Sequence, residues 1–151
     1  MTRFRFRLET LLKLRQSERN ALRERLADAL VARRVLDERR RQWIDELNVM
    51  REQARRAGQP GSVNVDTLLA SHRYHLMLEA QGRVLDEQEV QIEAEIDRRR
   101  AALAEGDKQV RVLEKLRERQ HAAHQQGELR AEQKLLDEVA QRGGILKEQR
   151  P

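Results

Sequence analysis

The sequence predicts an all-α fold: a long antiparallel two-helix coiled-coil hairpin whose second helix is longer than its first. Composition, periodicity and one strong break carry that prediction. Of 151 residues, 31 are Lys or Arg and 26 are Asp or Glu, leaving a formal charge of +5. The aromatic side chains are Phe4, Phe6, Trp43 and Tyr74 and no others. The hydrophobic fraction is 38% and mean hydropathy is −0.88, whereas a packed domain ordinarily holds close to half apolar residues. This disfavours a sandwich, a barrel or a doubly wound sheet. Two prolines, seven glycines and regularly spaced leucines argue against disorder. What remains is the class rich in Ala, Glu, Arg and Leu at helical spacing.

The first helix is expected over about residues 4–57. Its apolar track runs Leu22, Leu26, Ala29, Arg33, Leu36, Arg40, Trp43, Leu47, Met50 and Ala54. Steps of four and three alternate along it, which places these residues on one stripe of a helix. Leu8, Leu11 and Leu12 lie a few turns earlier. At 1.5 Å per residue this helix spans about 80 Å.

Ala57-Gly58-Gln59-Pro60-Gly61-Ser62 is the strongest break, because Gly and Pro together stop helices. A loop is expected over about 58–64. Asn64 or Asp66 then caps a second helix over about 65–142, their short polar side chains satisfying free N–H groups. Its stripe reads Leu85, Glu89, Ile92, Ile96, Arg99, Leu103, Gly106, Val110 and Leu113. Leu68, Leu69, Leu76 and Leu78 flank it before; Leu116, Leu135, Leu136 and Val139 flank it after. Gly143-Gly144 is read as its stop, with a short tail over 143–151. The longer second helix leaves part of itself unpaired. Charged residues at Arg33, Arg40, Glu89 and Arg99, with Gly106, interrupt both stripes and are expected to loosen the seam.

Charge also sorts the arms. Residues 1–56 carry 16 basic and 9 acidic side chains, a net +7, and the remainder carries 15 and 17, a net −2. Opposite signs favour pairing within one chain over a parallel dimer of basic arms. A monomer is expected. A homodimeric coiled coil is the alternative, at twice the mass in sedimentation.

Catalytic chemistry finds no foothold. Without cysteine there is no thiolate nucleophile and no Cys-based metal site. His72 and His75, like His121 and His124, sit three apart on one helical face but lack further ligands, so they read as surface histidines. Carboxylates abound, yet a general acid needs a dry concave site that two helices do not build. Arg39-Arg40-Arg41 and Arg98-Arg99-Arg100 have acids within a turn and read as mixed solvated faces. No enzyme, cofactor or metal is expected. No stretch approaches the 18 apolar residues of a membrane span, Met1–Arg19 lacks the apolar core of a secretory signal, and a cytoplasmic chain is expected.

Particular segments resemble a known family. Phe4-x-Phe6-x-Leu8-Glu9-x-Leu11-Leu12, the break near the middle, Val112-Leu113-Glu114-Lys115-Leu116-Arg117-Glu118-Arg119-Gln120 and Glu132-Gln133-Lys134-Leu135-Leu136-Asp137-Glu138-Val139-Ala140-Gln141-Arg142 resemble the flagellar export protein family FliJ in order and spacing. The resemblance implies an antiparallel coiled coil similar to the gamma-subunit stalk of rotary ATPases. It implies that the end holding the termini enters the hexameric flagellar export ATPase (FliI-like), promoting its assembly or activity. The loop-proximal end then meets the membrane export-gate protein (FlhA-like), and export chaperones are possible partners. It implies a protein of the cytoplasm, peripherally associated with the inner membrane at the flagellar base. Carried over position by position, the ATPase-facing group is Leu8, Leu11, Leu116, Arg119, Gln120, Asp137 and Glu138. The gate-facing group is Trp43, Met50, Tyr74, Leu78, Gln81 and Leu85. Where relatives often show aromatics on the first arm, this chain has Glu46 and Met50.

Two other functions compete. The equivalent stalk of an injectisome-type secretion system shares every feature but the opening Phe-x-Phe-x-Leu. A basic coiled coil binding RNA or the ribosome would use the +7 first arm, and its affinity would fall steeply with salt as counterions are released. The leading reading has no nucleic-acid partner.

Overall fold

In a computed structural model the chain forms α1 (Glu9–Ala57) and α2 (Val65–Glu148), which pack against each other as an antiparallel hairpin. The structure describes residues 3–58, 61 and 64–148, with side chains to residue 141. Gln59, Pro60, Ser62 and Val63 of the expected loop, and Gln149, Arg150 and Pro151 of the expected tail, lie outside the described residues.

Element ends depart from the sequence reading in two places. α1 begins at Glu9, not near residue 4, and residues 3–6 are non-helical. The reason lies in Arg3-Phe4-Arg5-Phe6-Arg7-Leu8, which alternates with a period of two, the signature of an extended segment with one face down. Phe6 is buried and its carbonyl accepts from the Glu9 N–H at 3.3 Å, closing the turn into α1. At the far end α2 does not stop at Gly143-Gly144 but continues to Glu148. A helical glycine costs about 1 kcal/mol relative to Ala, which lowers helix stability without forbidding it.

The loop boundary follows local chemistry. Asn64 is the cap: its side-chain oxygen accepts from the Asp66 N–H at 3.0 Å and the Thr67 N–H at 3.3 Å. At the end of α1 the Gly58 N–H donates to the Ala54 carbonyl at 3.1 Å. Gly61 takes φ of +153°, a conformation that L side chains rarely adopt.

The chain divides into two compact units. The loop-proximal unit, Asn20–Ala104, is built on the predicted stripes. Ala29, Leu36, Met50, Leu78, Leu85 and Ile96 are buried, and Leu22, Leu26, Leu47, Ile92 and Leu103 are half-buried. Leu68, Leu69 and Leu76 are about half exposed, so the stripe continues instead through Leu78, Gly82 and Leu85. The charged seam positions do not open the seam; they tie it. Arg33 pairs with Asp37 at 3.0 Å, with Glu89 at 3.4 Å and with Glu93. Arg40 pairs with Asp86 at 2.9 Å and with Glu89. Glu89 is thus held between Arg33 and Arg40 of the facing helix. Arg99 bonds Glu95 at 2.6 Å and reaches the Arg25 carbonyl.

Trp43 and Gly82 form the tightest fit in this unit. The indole Nε1 donates to the Leu78 carbonyl at 2.8 Å. A Cβ at Gly82 would stand 2.6 Å from the indole Cζ2. The missing side chain makes room for the ring and opens the Leu78 carbonyl to it.

The end unit comprises Met1–Arg19 and Glu105–Pro151. Its core is Phe6, Leu12 and Val110, with Phe4, Leu113 and Leu116 packed around them. Gln16 donates to Glu114 at 3.4 Å, Arg19 lies 3.9 Å from Asp107, and Arg117 lies 3.8 Å from Glu9. Residues 129–141 of α2 are exposed throughout, including Leu135, Leu136 and Val139.

Gly82→Ala forces a methyl into the indole and is expected to cost about 1–3 kcal/mol. Pairing it with Trp43→Leu should recover part of that loss. Chemical denaturation followed by circular dichroism checks the cycle; additive losses would mean that the two positions do not meet.

Candidate functional site

The N-terminal segment turns the end unit into a chemically uneven surface. Phe4 packs edge-on against His121 and His124, with ring centroids at 5.0 and 5.6 Å. His121 is exposed and His124 half-buried, so these surface histidines also form a small aromatic cluster with Phe4. Alternation sends Arg3, Arg5 and Arg7 outward as Phe4 and Phe6 pack inward. With Arg117 and Glu9 they line a cleft of about 1110 Å³. Arg3, Arg5 and Arg7 make no ion pair among the described residues.

Of the positions carried over for the ATPase, Leu8 and Leu11 are 38% and 37% exposed beside this cleft. Leu116 packs against the Phe6–Leu12–Val110 core. Arg119 and Gln120 are exposed, as are Asp137 and Glu138 beyond them. The end unit thus presents apolar, cationic and anionic side chains to solvent, and Leu116 supports them from below.

The gate-facing group divides differently. Leu78 is fully buried, and Met50 and Leu85 are 6% exposed. These three are seam residues with almost no surface to offer. Trp43 is half-buried, edge to Gly82 and bonded to Leu78. Tyr74 and Gln81 are exposed, and the Tyr74 hydroxyl donates to Glu46 at 3.5 Å. Sequence reasoning could not tell seam from surface here because Leu78, Gln81 and Leu85 are spaced alike. It missed Gly82, whose signal was a glycine three residues before Leu85, on the stripe and opposite a tryptophan.

Local electrostatics come from short-range pairs. Hydrogen bonds from Arg55 and Arg56 hold the Glu52 carboxyl below the ordinary carboxylate range, and Glu52 raises Arg55 in return. Arg99 chiefly, by its hydrogen bond, lowers Glu95; desolvation opposes the shift, and the charges of Arg98 and Arg99 add to it. Among the described residues no group of three or more His, Cys, Asp or Glu could hold a metal ion. No described helix is long and apolar enough to cross a membrane.

Two long helices packed against each other, with exposed mixed-charge surface at one unit and a zipped seam in the other, define a coiled-coil hairpin. The family model described as "Flagellar FliJ protein" matches residues 4–149, and the chain belongs to that family. No curated protein and no solved structure matches it. Membership places it among flagellar export components and in a non-catalytic family.

The lowered Glu95 carboxyl gives a pH test. Its contribution is present above the ordinary carboxylate pKa and is lost as pH falls through the lowered folded-state value. Thermal melts of Glu95→Gln should therefore lie below wild type at pH 7 and converge with it in acid; a gap independent of pH would mean that the Arg99 bond contributes nothing.

Proposed function

We propose that this protein is a non-enzymatic stalk of the flagellar type III export apparatus. In this reading the end unit enters the hexameric export ATPase and promotes its assembly or activity. The loop-proximal unit engages the membrane export gate, and export chaperones are further partners. The family match over residues 4–149 carries the reading.

Physical detail supports it. A protein seated in a ring of similar subunits must offer several kinds of contact within a narrow circumference. Leu8 and Leu11 provide apolar surface, Arg119 and Gln120 polar surface, and Asp137 and Glu138 carboxylates, all exposed. Carboxylates suit basic loops of the ATPase, and the Arg3, Arg5 and Arg7 guanidinium groups suit acidic ones through planar, two-pronged bonds. On the gate side Tyr74, Gln81 and the open edge of Trp43 are the surface-available members. Met50, Leu78 and Leu85 would act by holding them in place. Peripheral association with the inner membrane at the flagellar base then follows from these partners.

Adding the purified protein to its cognate export ATPase should raise ATP turnover. Asp137→Lys with Glu138→Lys should weaken the effect by about tenfold in apparent affinity, or ~1.4 kcal/mol. The same charge reversal leaves α2 helical, since neither side chain is packed. Unchanged turnover with the intact protein would remove the proposal. Retention of ATPase binding at raised salt separates it from an RNA-binding protein, whose affinity would collapse.

A further inference from the structure

The two flanks of the loop-proximal seam differ in kind. On one flank Arg33 and Arg40 reach across to Glu93 and Asp86. On the other, between residues 32–46 and 81–95, no ion pair crosses the helices among the described residues. That flank instead holds a hollow of about 440 Å³ at Val35, Leu36 and Ile92. A second of about 380 Å³ lies at Trp43, Val84 and Leu85. Arg39 and Gln88 line both hollows, which makes them one continuous groove. Val35 and Val84 stand 48% and 50% exposed on its walls.

We infer that this groove is the seat of a third helix, an amphipathic segment of a protein partner with a Leu/Ala-type apolar stripe and one carboxylate facing Arg39. Spacing argues for a helix. Val35, Arg39, Gln42 and Glu46 on α1, and Gln81, Val84, Gln88 and Gln91 on α2, recur at alternating three and four residues. That is the pattern that receives knobs of another helix. An extended peptide would need free backbone edges, which two helices do not offer. Wall chemistry argues for a largely uncharged stripe, because Gln42, Gln81, Gln88 and Gln91 are amides along the groove. Its carboxylates are already engaged, Glu95 by Arg99 and Glu46 by the Tyr74 hydroxyl. Arg39 sets the remaining requirement. It makes no ion pair among the described residues and stands where the hollows meet, so a partner carboxylate there completes it.

The inference rests on the proposed gate contact only for the partner's identity; the groove's preference for a helix does not depend on it. The sole tryptophan, Trp43, lines the groove and reports occupancy by its emission. The full-length chain is titrated with two probes: the purified cytoplasmic region of the cognate export-gate protein, and a designed amphipathic peptide with Leu and Ala at its heptad seam and one Glu placed to face Arg39. Both should shift Trp43 emission to the blue. Val35→Glu and Val84→Glu should each weaken the designed peptide at least tenfold, with helicity by circular dichroism unchanged. Arg39→Glu should weaken it too and be rescued by a peptide carrying Lys in place of Glu. Ile44→Glu and Val90→Glu, on exposed residues outside the groove, should leave binding intact. The inference falls if the designed peptide fails to bind wild type, if Val35→Glu and Val84→Glu bind as wild type does, or if sedimentation shows a second copy of the chain filling the groove. Binding of the peptide without the gate region would keep the groove and overturn the gate reading.

Discussion

Two helices alone cannot bury an ionic side chain on all sides, and that limit decides how this protein is held together. Each helix can hide only a single stripe, so whatever stands on the stripe must find its partner on the one opposite. Arg33 and Arg40 solve this by gripping Glu89 from both sides while drawing in Asp86 and Glu93. Partly exposed pairs of this kind add little net stability. Their value lies in register: sliding the helices by one heptad would leave Glu89 beside only one of its two arginines and set the other against an apolar seam position or Gly82. Leu78, Ile96, Leu12 and Val110, almost fully buried, supply the cohesion that the ions do not.

Seen this way, the charged positions and the Trp43–Gly82 fit are parts of one device. Both are irregularities that only one alignment of the helices satisfies. An uninterrupted leucine stripe would hold more tightly but tolerate several alignments. Under the proposed function, presenting a defined set of side chains to two unlike partners needs the single alignment more than the extra cohesion.

Much of this was legible from residue spacing. Every member of the predicted α1 stripe from Leu22 to Ala54, and of the α2 stripe from Leu85 to Leu113, is buried or half-buried. Periodicity works well here because a two-helix seam has no third element to override it. Other features escaped. The sequence lets α1 start near residue 4 because Phe and Leu also fit a helical start, whereas the period of two is satisfied by docking Phe4 on His121 and His124. The charged seam positions look like weaknesses in the sequence because a single stripe does not show what faces it. The gate-facing group mixed core with surface, since a resemblance transfers positions without their exposure. The division between a zipped flank and a grooved one is carried by the register of both helices, which sets Gln42, Gln81, Gln88 and Gln91 on one side and Asp86 and Glu93 on the other.

The sequence separations of the cross-helix contacts widen steadily away from the loop: 35 residues between Trp43 and Leu78, 56 between Arg33 and Glu89, and 98 between Gln16 and Glu114. Closing each wider contact after the narrower one adds only a small increment of chain entropy. During synthesis the docking of Phe4 must wait until His121 and His124 have left the ribosome. Until then the newborn N-terminus carries Phe4 and Phe6 without the α2 surface that covers them in the folded protein.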